Sequence, residues 1–172
     1  MLAAGVRILL AYLIFYAALG AFYPFLPVYF SDLGLTLGEI GLLLAFQAAI
    51  QLVAAPIWGG LSDRFPKSRV TLPLATAIAT VGATALYVSL GFVAVLVASL
   101  ILFAGLAGIY PTLDSRTMET LGPSARNRFG QVRAFGSISF VVATLFVGVL
   151  LDAYGSRSLF WVFIPMLILT IV

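Results

Sequence analysis

Long apolar runs separated by short polar punctuation set the pattern of this chain. The runs fall at about 8–30, 37–61, 70–90, 92–113, 134–151 and 158–172, most of them near the roughly twenty residues that a helix needs to cross a bilayer. The polar intervals are Ser31 to Leu35, the charged island from Gly59 to Arg69, a break near Gly91, the segment around Arg126 and Arg128, and Asp152 to Ser158. Backbone groups in lipid must bond within their own segment, so the pattern predicts an all-α membrane protein with six transmembrane helices.

Local signals refine the elements. Pro24 and Pro27 near the outer end of the first run are expected to kink or loosen that helix, because proline removes an N–H donor. Thr36-Leu37-Gly38-Glu39 reads as a capping box at the start of the second. Ala75, Ala79 and Ala83, with Ala104 and Gly108, recur at four-residue spacing and predict close helix packing. The first run is far longer than a signal-peptide core and is expected to stay as a span.

Composition fits an integral membrane protein, with 63% hydrophobic residues, 9% charged residues and a mean hydropathy of +1.18. Neither Cys nor His is present. That removes thiol and imidazole chemistry and leaves carboxylates to carry protons near neutral pH. No nucleophile and base constellation and no phosphate-binding loop appears, so neither an enzyme nor a bound cofactor or metal is expected. The basic residues alternate along the chain: Arg7, then Arg64, Lys67 and Arg69, then Arg126 and Arg128, with only Arg157 on the intervening set of loops. The positive-inside rule puts the N-terminus in the cytoplasm and argues against nucleic acid as a partner.

Two weak internal matches share nearly one offset. Gly20-Ala21-Phe22-Tyr23-Pro24 matches Gly108-Ile109-Tyr110-Pro111, with the Tyr-Pro pairs 87 residues apart. Gly59-x-x-x-Asp63-x-Phe65-Pro66 matches Gly148-x-x-x-Asp152-x-Tyr154-Gly155, 89 residues apart. Three spans per copy is an odd number, so the bundle over residues 1–172 is expected to be two inverted three-helix repeats, about 6–90 and 91–172. Inverted repeats mark secondary transporters, whose sites lie near the midplane between repeats.

Ionisable and amide groups inside apolar runs are the candidate chemistry. Asp114 in the fourth run and Arg133 at the head of the fifth should lie at similar depth and pair, whereas Arg116 points to another face and is expected to snorkel. On an ideal helix Arg133, Ser137, Phe140 and Thr144 share a face. Tyr12, Tyr16 and Tyr23 form a stripe on the first run, in which Tyr16 is a candidate for lining a cavity. Gln47 and Gln51, one turn apart, either join helices or face water.

Gly59-x-x-x-Asp63-Arg64 with Lys67 and Arg69 resembles the loop signature between the second and third helices of the major facilitator superfamily, with Pro66 where the family usually has Gly. The resemblance implies a cytoplasmic latch in which Asp63 meets a helix N-terminus and basic side chains of another half. Gly20 to Pro27 and Phe129 to Phe140 look like the lactose permease and phenylpropionate-transporter branch. That branch implies that Asp114 and Arg133 bind substrate, and Phe140 stands where lactose permease has Trp. The expected function is half of a secondary transporter in the bacterial inner membrane, taking up a small organic acid, saccharide or nucleoside with protons. Its expected partner is a second six-helix half, either covalent or another copy. A membrane scaffold that merely keeps the fold is the alternative. Drug efflux is less favoured, since the fifth run lacks the Gly/Pro-rich signature usual in that branch.

Overall fold

A computed structural model describes residues 2–64, 70–122 and 125–171, and every regular element among them is helical. The helices are α1 (Leu2–Phe22), α2 (Leu26–Asp32), α3 (Leu37–Arg64), α4 (Thr71–Val88), α5 (Phe92–Leu121), α6 (Ala125–Tyr154) and α7 (Leu159–Leu169). A 3₁₀ turn at Tyr23–Phe25 separates α1 from α2, and another at Ser156–Ser158 leads into α7. The chain is an integral membrane protein: Leu9–Asp32, Leu37–Ser62, Thr71–Val88, Phe92–Leu121 and Phe129–Tyr154 are long and apolar enough to cross a bilayer. Ser156–Leu169 forms a shorter apolar helix.

Two boundaries depart from the sequence expectation. Apolar runs at about 92–113 and 134–151 implied a loop of ordinary length between the fourth and fifth spans, but α5 and α6 each extend through it, and only a short link around Gly122 separates them. Hydropathy sees where lipid ends, whereas the helix continues as long as its backbone is paired. Thr112, Thr117 and Thr120 assist by donating their hydroxyls to the carbonyls of Gly108, Leu113 and Arg116, which keeps these polar side chains bonded within α5.

The local signals at the other ends produce the expected structures. The break at Pro24 is the predicted loosening of the first span. At α3 the Glu39 carboxylate accepts bonds from the Thr36 N–H and hydroxyl, both at 2.8 Å, and the Glu39 N–H donates to the Thr36 hydroxyl at 3.3 Å. Thr36→Ala should cost about 0.5–2 kcal/mol, as N-cap losses do, and appear as a small fall in the melting temperature of the detergent-solubilised protein.

The chain divides into two compact units, one of Met1–Phe25 with Leu113–Val172 and one of Leu26–Thr112. In the first, α1 packs on α6 and α7. Phe22 stacks on Phe163 at 4.1 Å between ring centroids and meets Phe160 edge-on. The contact with α6 is backbone-close, because Gly20 has no side chain: a Cβ there would overlap the Phe140 main chain. Across it, the Ser139 hydroxyl donates to the Leu13 carbonyl at 3.1 Å and the Thr144 hydroxyl to the Gly20 carbonyl at 2.9 Å.

In the second unit, α5 meets α4 with the same economy of side chain. A Cβ on Gly82 would strike the Leu102 backbone, and one on Gly105 the backbone of Ala75 and Ala79. The alanine stripe at 75, 79 and 83 is fully buried, as its spacing predicted. Gly108 lies against the Trp58 indole of α3, whose N–H donates to the Ala104 carbonyl at 2.8 Å. In lipid such close fits matter because no hydrophobic gain drives helices together, and dispersion with interhelical hydrogen bonds takes over.

Candidate functional site

Polar side chains collect near one end of the first unit, where three helices each contribute. Tyr12 and Tyr16 lie one turn apart on α1, so they share a face, and their rings stack at 4.7 Å with the hydroxyls 3.2 Å apart. Tyr12 is fully buried and Tyr16 half-buried. Gly136 of α6 makes room for both: a Cβ there would come within 2.9 Å of the Tyr12 ring and 3.2 Å of Tyr16. One turn before that glycine stands Arg133, exposed, with its guanidinium carbon 5.9 Å from the Phe129 ring centroid.

Asp114, half-buried on α5, completes the group. Its carboxyl is within electrostatic reach of both Tyr12 and Arg133. Asp114 lies seven residues before the end of α5 and Arg133 eight after the start of α6, so each is about 10–12 Å from its own end of the short link at helical rise. The continuous helices thereby hold the two charges at matching depth. A tyrosine hydroxyl has one hydrogen, and the Tyr12 hydroxyl donates its own to the Tyr16 hydroxyl. The cluster is therefore a carboxyl, two linked hydroxyls and a cation, a set able to bind a polar ligand and to take up or release a proton at the carboxyl oxygens.

The other candidate positions have different surroundings. Ser137 is exposed and returns its hydroxyl to the Arg133 carbonyl at 3.1 Å, and Phe140 is half-buried with its main chain against Gly20. The Thr144 hydroxyl is occupied at Gly20. Arg116 is half-buried on α5. Gln47 belongs to the second unit, is 4% exposed, and its side-chain nitrogen has no protein partner; Gln51 donates its amide N–H to the Gln47 carbonyl at 3.3 Å. In the loop signature, Gly59 and the exposed Arg64 lie in the last turns of α3, while Lys67 and Arg69 and the side chain of Asp63 lie outside the described residues.

Sequence reasoning gave less weight to Tyr12 than to Tyr16, gave Gly136 no place in the site, and passed over Trp58. The signal for Gly136 was its place one turn beyond an intramembrane arginine. For Trp58 it was an indole far along an apolar run, where its N–H needs an acceptor.

Comparison with known proteins gives a consistent family. The chain matches the MFS_1 like family over residues 6–172. It is 28% identical over 156 residues to a maltose permease of Geobacillus stearothermophilus, an alignment covering 90% of this chain and 39% of that protein. It is 31% identical over 155 residues to the multidrug resistance protein MdtG of Rahnella sp. (strain Y9602), covering 85% of this chain and 36% of the relative. Over 55 residues it is 40% identical to the quinolone resistance protein NorA of Staphylococcus aureus, which is 32% of this chain and 14% of that one. The chain thus spans about two fifths of the length of the first two curated relatives. No solved structure matches it at a significant level.

Proposed function

Because the chain belongs to the MFS_1 like family, within the major facilitator superfamily of transporters, we propose that it is one six-helix bundle of a secondary transporter moving a small organic solute by alternating access with protons. The observation that carries this reading is the Asp114, Tyr12, Tyr16 and Arg133 cluster within otherwise apolar helices. Ionisable groups at membrane depth are costly and mark substrate or proton pathways. In this assignment Arg133 holds an anionic or hydroxyl-rich group of the solute, Asp114 accepts the coupling proton, and the tyrosine pair steadies both charge states of the carboxyl.

A second six-helix bundle is the partner of this half, either further along the same polypeptide or in another copy. Its support is the uneven burial of the spans. Within the apolar windows only 22% of α3 and 17% of α6 are buried, against 50%, 44% and 56% for the α1 to α2, α4 and α5 spans. Those two helices offer the faces on which another bundle would rock. The deciding experiment purifies the 172-residue chain and the complete transporter separately, measures mass in detergent, and assays accumulation after reconstitution. The complete transporter should accumulate solute and the single bundle should not; a strictly monomeric bundle that still accumulates it would refute the proposal.

The names of MdtG and NorA favour a second reading of direction, proton-driven export of an organic compound. Flux measured against imposed pH gradients of either sign separates export from uptake. A bacterial inner membrane with the N-terminus in the cytoplasm fits the arrangement of basic loops. Single cysteines at position 34 and at the exposed position 153 should then be labelled by an impermeant reagent from outside intact cells, and those at 67 and 124 only from within. Labelling of 34 and 67 from the same side would overturn that orientation.

A further inference from the structure

The match between Gly59-x-x-x-Asp63 and Gly148-x-x-x-Asp152 stands apart from the binding cluster and has no role in it. Both motifs end a long helix, Asp63 in the last turn of α3 and Asp152 in the last turn of α6. Three crossings, by α4, α5 and α6, lie between them, so chain topology puts the two motifs on opposite faces of the membrane.

Three features of the second motif are unexplained by packing within this chain. Asp152 is exposed, has no hydrogen bond or ion pair with the described residues, and sits at a helix C-terminus, where the macrodipole disfavours a negative charge. Arg157, five residues on, is exposed and likewise leaves the carboxylate unpaired. Gly148 has no tight neighbour, since a Cβ there would make only ordinary contact with the Phe25 ring at 3.7 Å, and a Cβ on Gly59 would meet nothing within 4 Å. Gly20, Gly82, Gly105 and Gly108 are required by backbone or ring contacts inside the bundle, whereas these two are not. Glycine is unfavourable in a helix interior relative to alanine, and at both motif positions it leaves room for an external neighbour.

We infer that Gly148 and Asp152 form a second latch, opposite the Asp63 loop, which docks on a positive group of the partner bundle and holds that face closed. The inference rests on the two-bundle reading and names a contact within it. Gly148 admits the partner's helix, and Asp152 accepts from either a helix N-terminus or a Lys or Arg side chain. Both donors offer N–H groups and positive charge, which together relieve the mismatch with the α6 dipole.

The test uses the complete transporter with a reporter cysteine at Ser137 and any cysteines of the partner bundle replaced. An impermeant maleimide is applied from each face in turn. Asp152→Asn should raise labelling from the Asp152 face about fivefold or more, the lower end of ordinary conformational coupling, and reduce it from the other face. Asp152→Glu should restore the wild-type ratio. Gly148→Leu, which leaves the charge intact and whose Cβ makes only ordinary contact with the Phe25 ring within this chain, should shift labelling the same way. Unchanged ratios in both Asp152→Asn and Gly148→Leu, with wild-type melting temperatures, would overturn the latch. If the wild-type protein already shows no side-dependent labelling that substrate alters, the two-bundle reading fails instead. Replacing the basic residues of the partner bundle one at a time separates the donors: a side-chain donor yields one variant that copies Asp152→Asn, and a helix N-terminus yields none.

Discussion

Arg133→Lys in the complete transporter is expected to weaken solute binding by about tenfold or more while leaving the fold intact. Lysine keeps the positive charge, but it loses the planar fork that can hold a carboxylate or a pair of hydroxyls with two parallel bonds. A hydrogen bond to a charged group contributes about 1.5–3 kcal/mol, and each 1.4 kcal/mol is a factor of ten in affinity. The side chain is exposed and rests near the Phe129 ring, so its replacement leaves no cavity in the bundle. Asp114→Asn separates the two roles given to the cluster. An amide keeps the size of the side chain yet stays neutral at every pH, so solute exchange across the membrane should persist while accumulation driven by a proton gradient is lost. Tyr12→Phe, which removes one hydroxyl and keeps the stacked ring, should have a smaller effect of the same kind. Isothermal titration or radioligand binding, run beside uptake and exchange in proteoliposomes, reads all three. Unchanged affinity in both Arg133→Lys and Asp114→Asn would move the site elsewhere.

The fold was legible where lipid dictates it. Spans of roughly the right length, the break at Pro24 and the Thr36 capping box follow from local chemistry, because each satisfies backbone groups that nearby residues alone can reach. Helix ends beyond the bilayer were not legible. Asp114 to Leu121 and Ala125 to Gln131 are polar enough to read as loop, and they remain helical because helix geometry needs backbone pairing rather than hydrophobicity. The cluster was half legible: Asp114 and Arg133 stand out as charges in apolar surroundings, and their equal distance from the link follows from helix rise. Its third part was hidden, because Tyr12 joins Asp114 through tertiary packing that depends on Gly136, and glycine carries no signature of what it admits.

Gly20→Ala and Gly59→Ala are expected to have opposite consequences, although both glycines belong to motifs of the same family resemblance. At Gly20 the added methyl would collide with the Phe140 main chain, and a backbone cannot swing aside as a side chain can. Relief requires α1 and α6 to separate, which lengthens the bond from the Thr144 hydroxyl to the Gly20 carbonyl and disturbs the seating of Tyr12 and Tyr16 against Gly136. Overpacking of this kind costs typically about 1–3 kcal/mol and sometimes more. Since stability changes of about 1 kcal/mol move the midpoint by about 2–4 °C in soluble chains of this size, a loss of several degrees is expected. At Gly59 the same methyl meets nothing within 4 Å, and the helix gains roughly 0.5–1 kcal/mol of propensity. The isolated 172-residue chain should therefore melt lower with Gly20→Ala and slightly higher with Gly59→Ala, as followed by thermal unfolding in detergent. In the complete transporter the Gly59 variant should keep its stability and lose transport, because on the proposed two-bundle reading the space it fills is the partner bundle's. Equal melting temperatures for the two variants would contradict the close approach of α1 and α6 that seats Tyr12 and Tyr16 against Gly136.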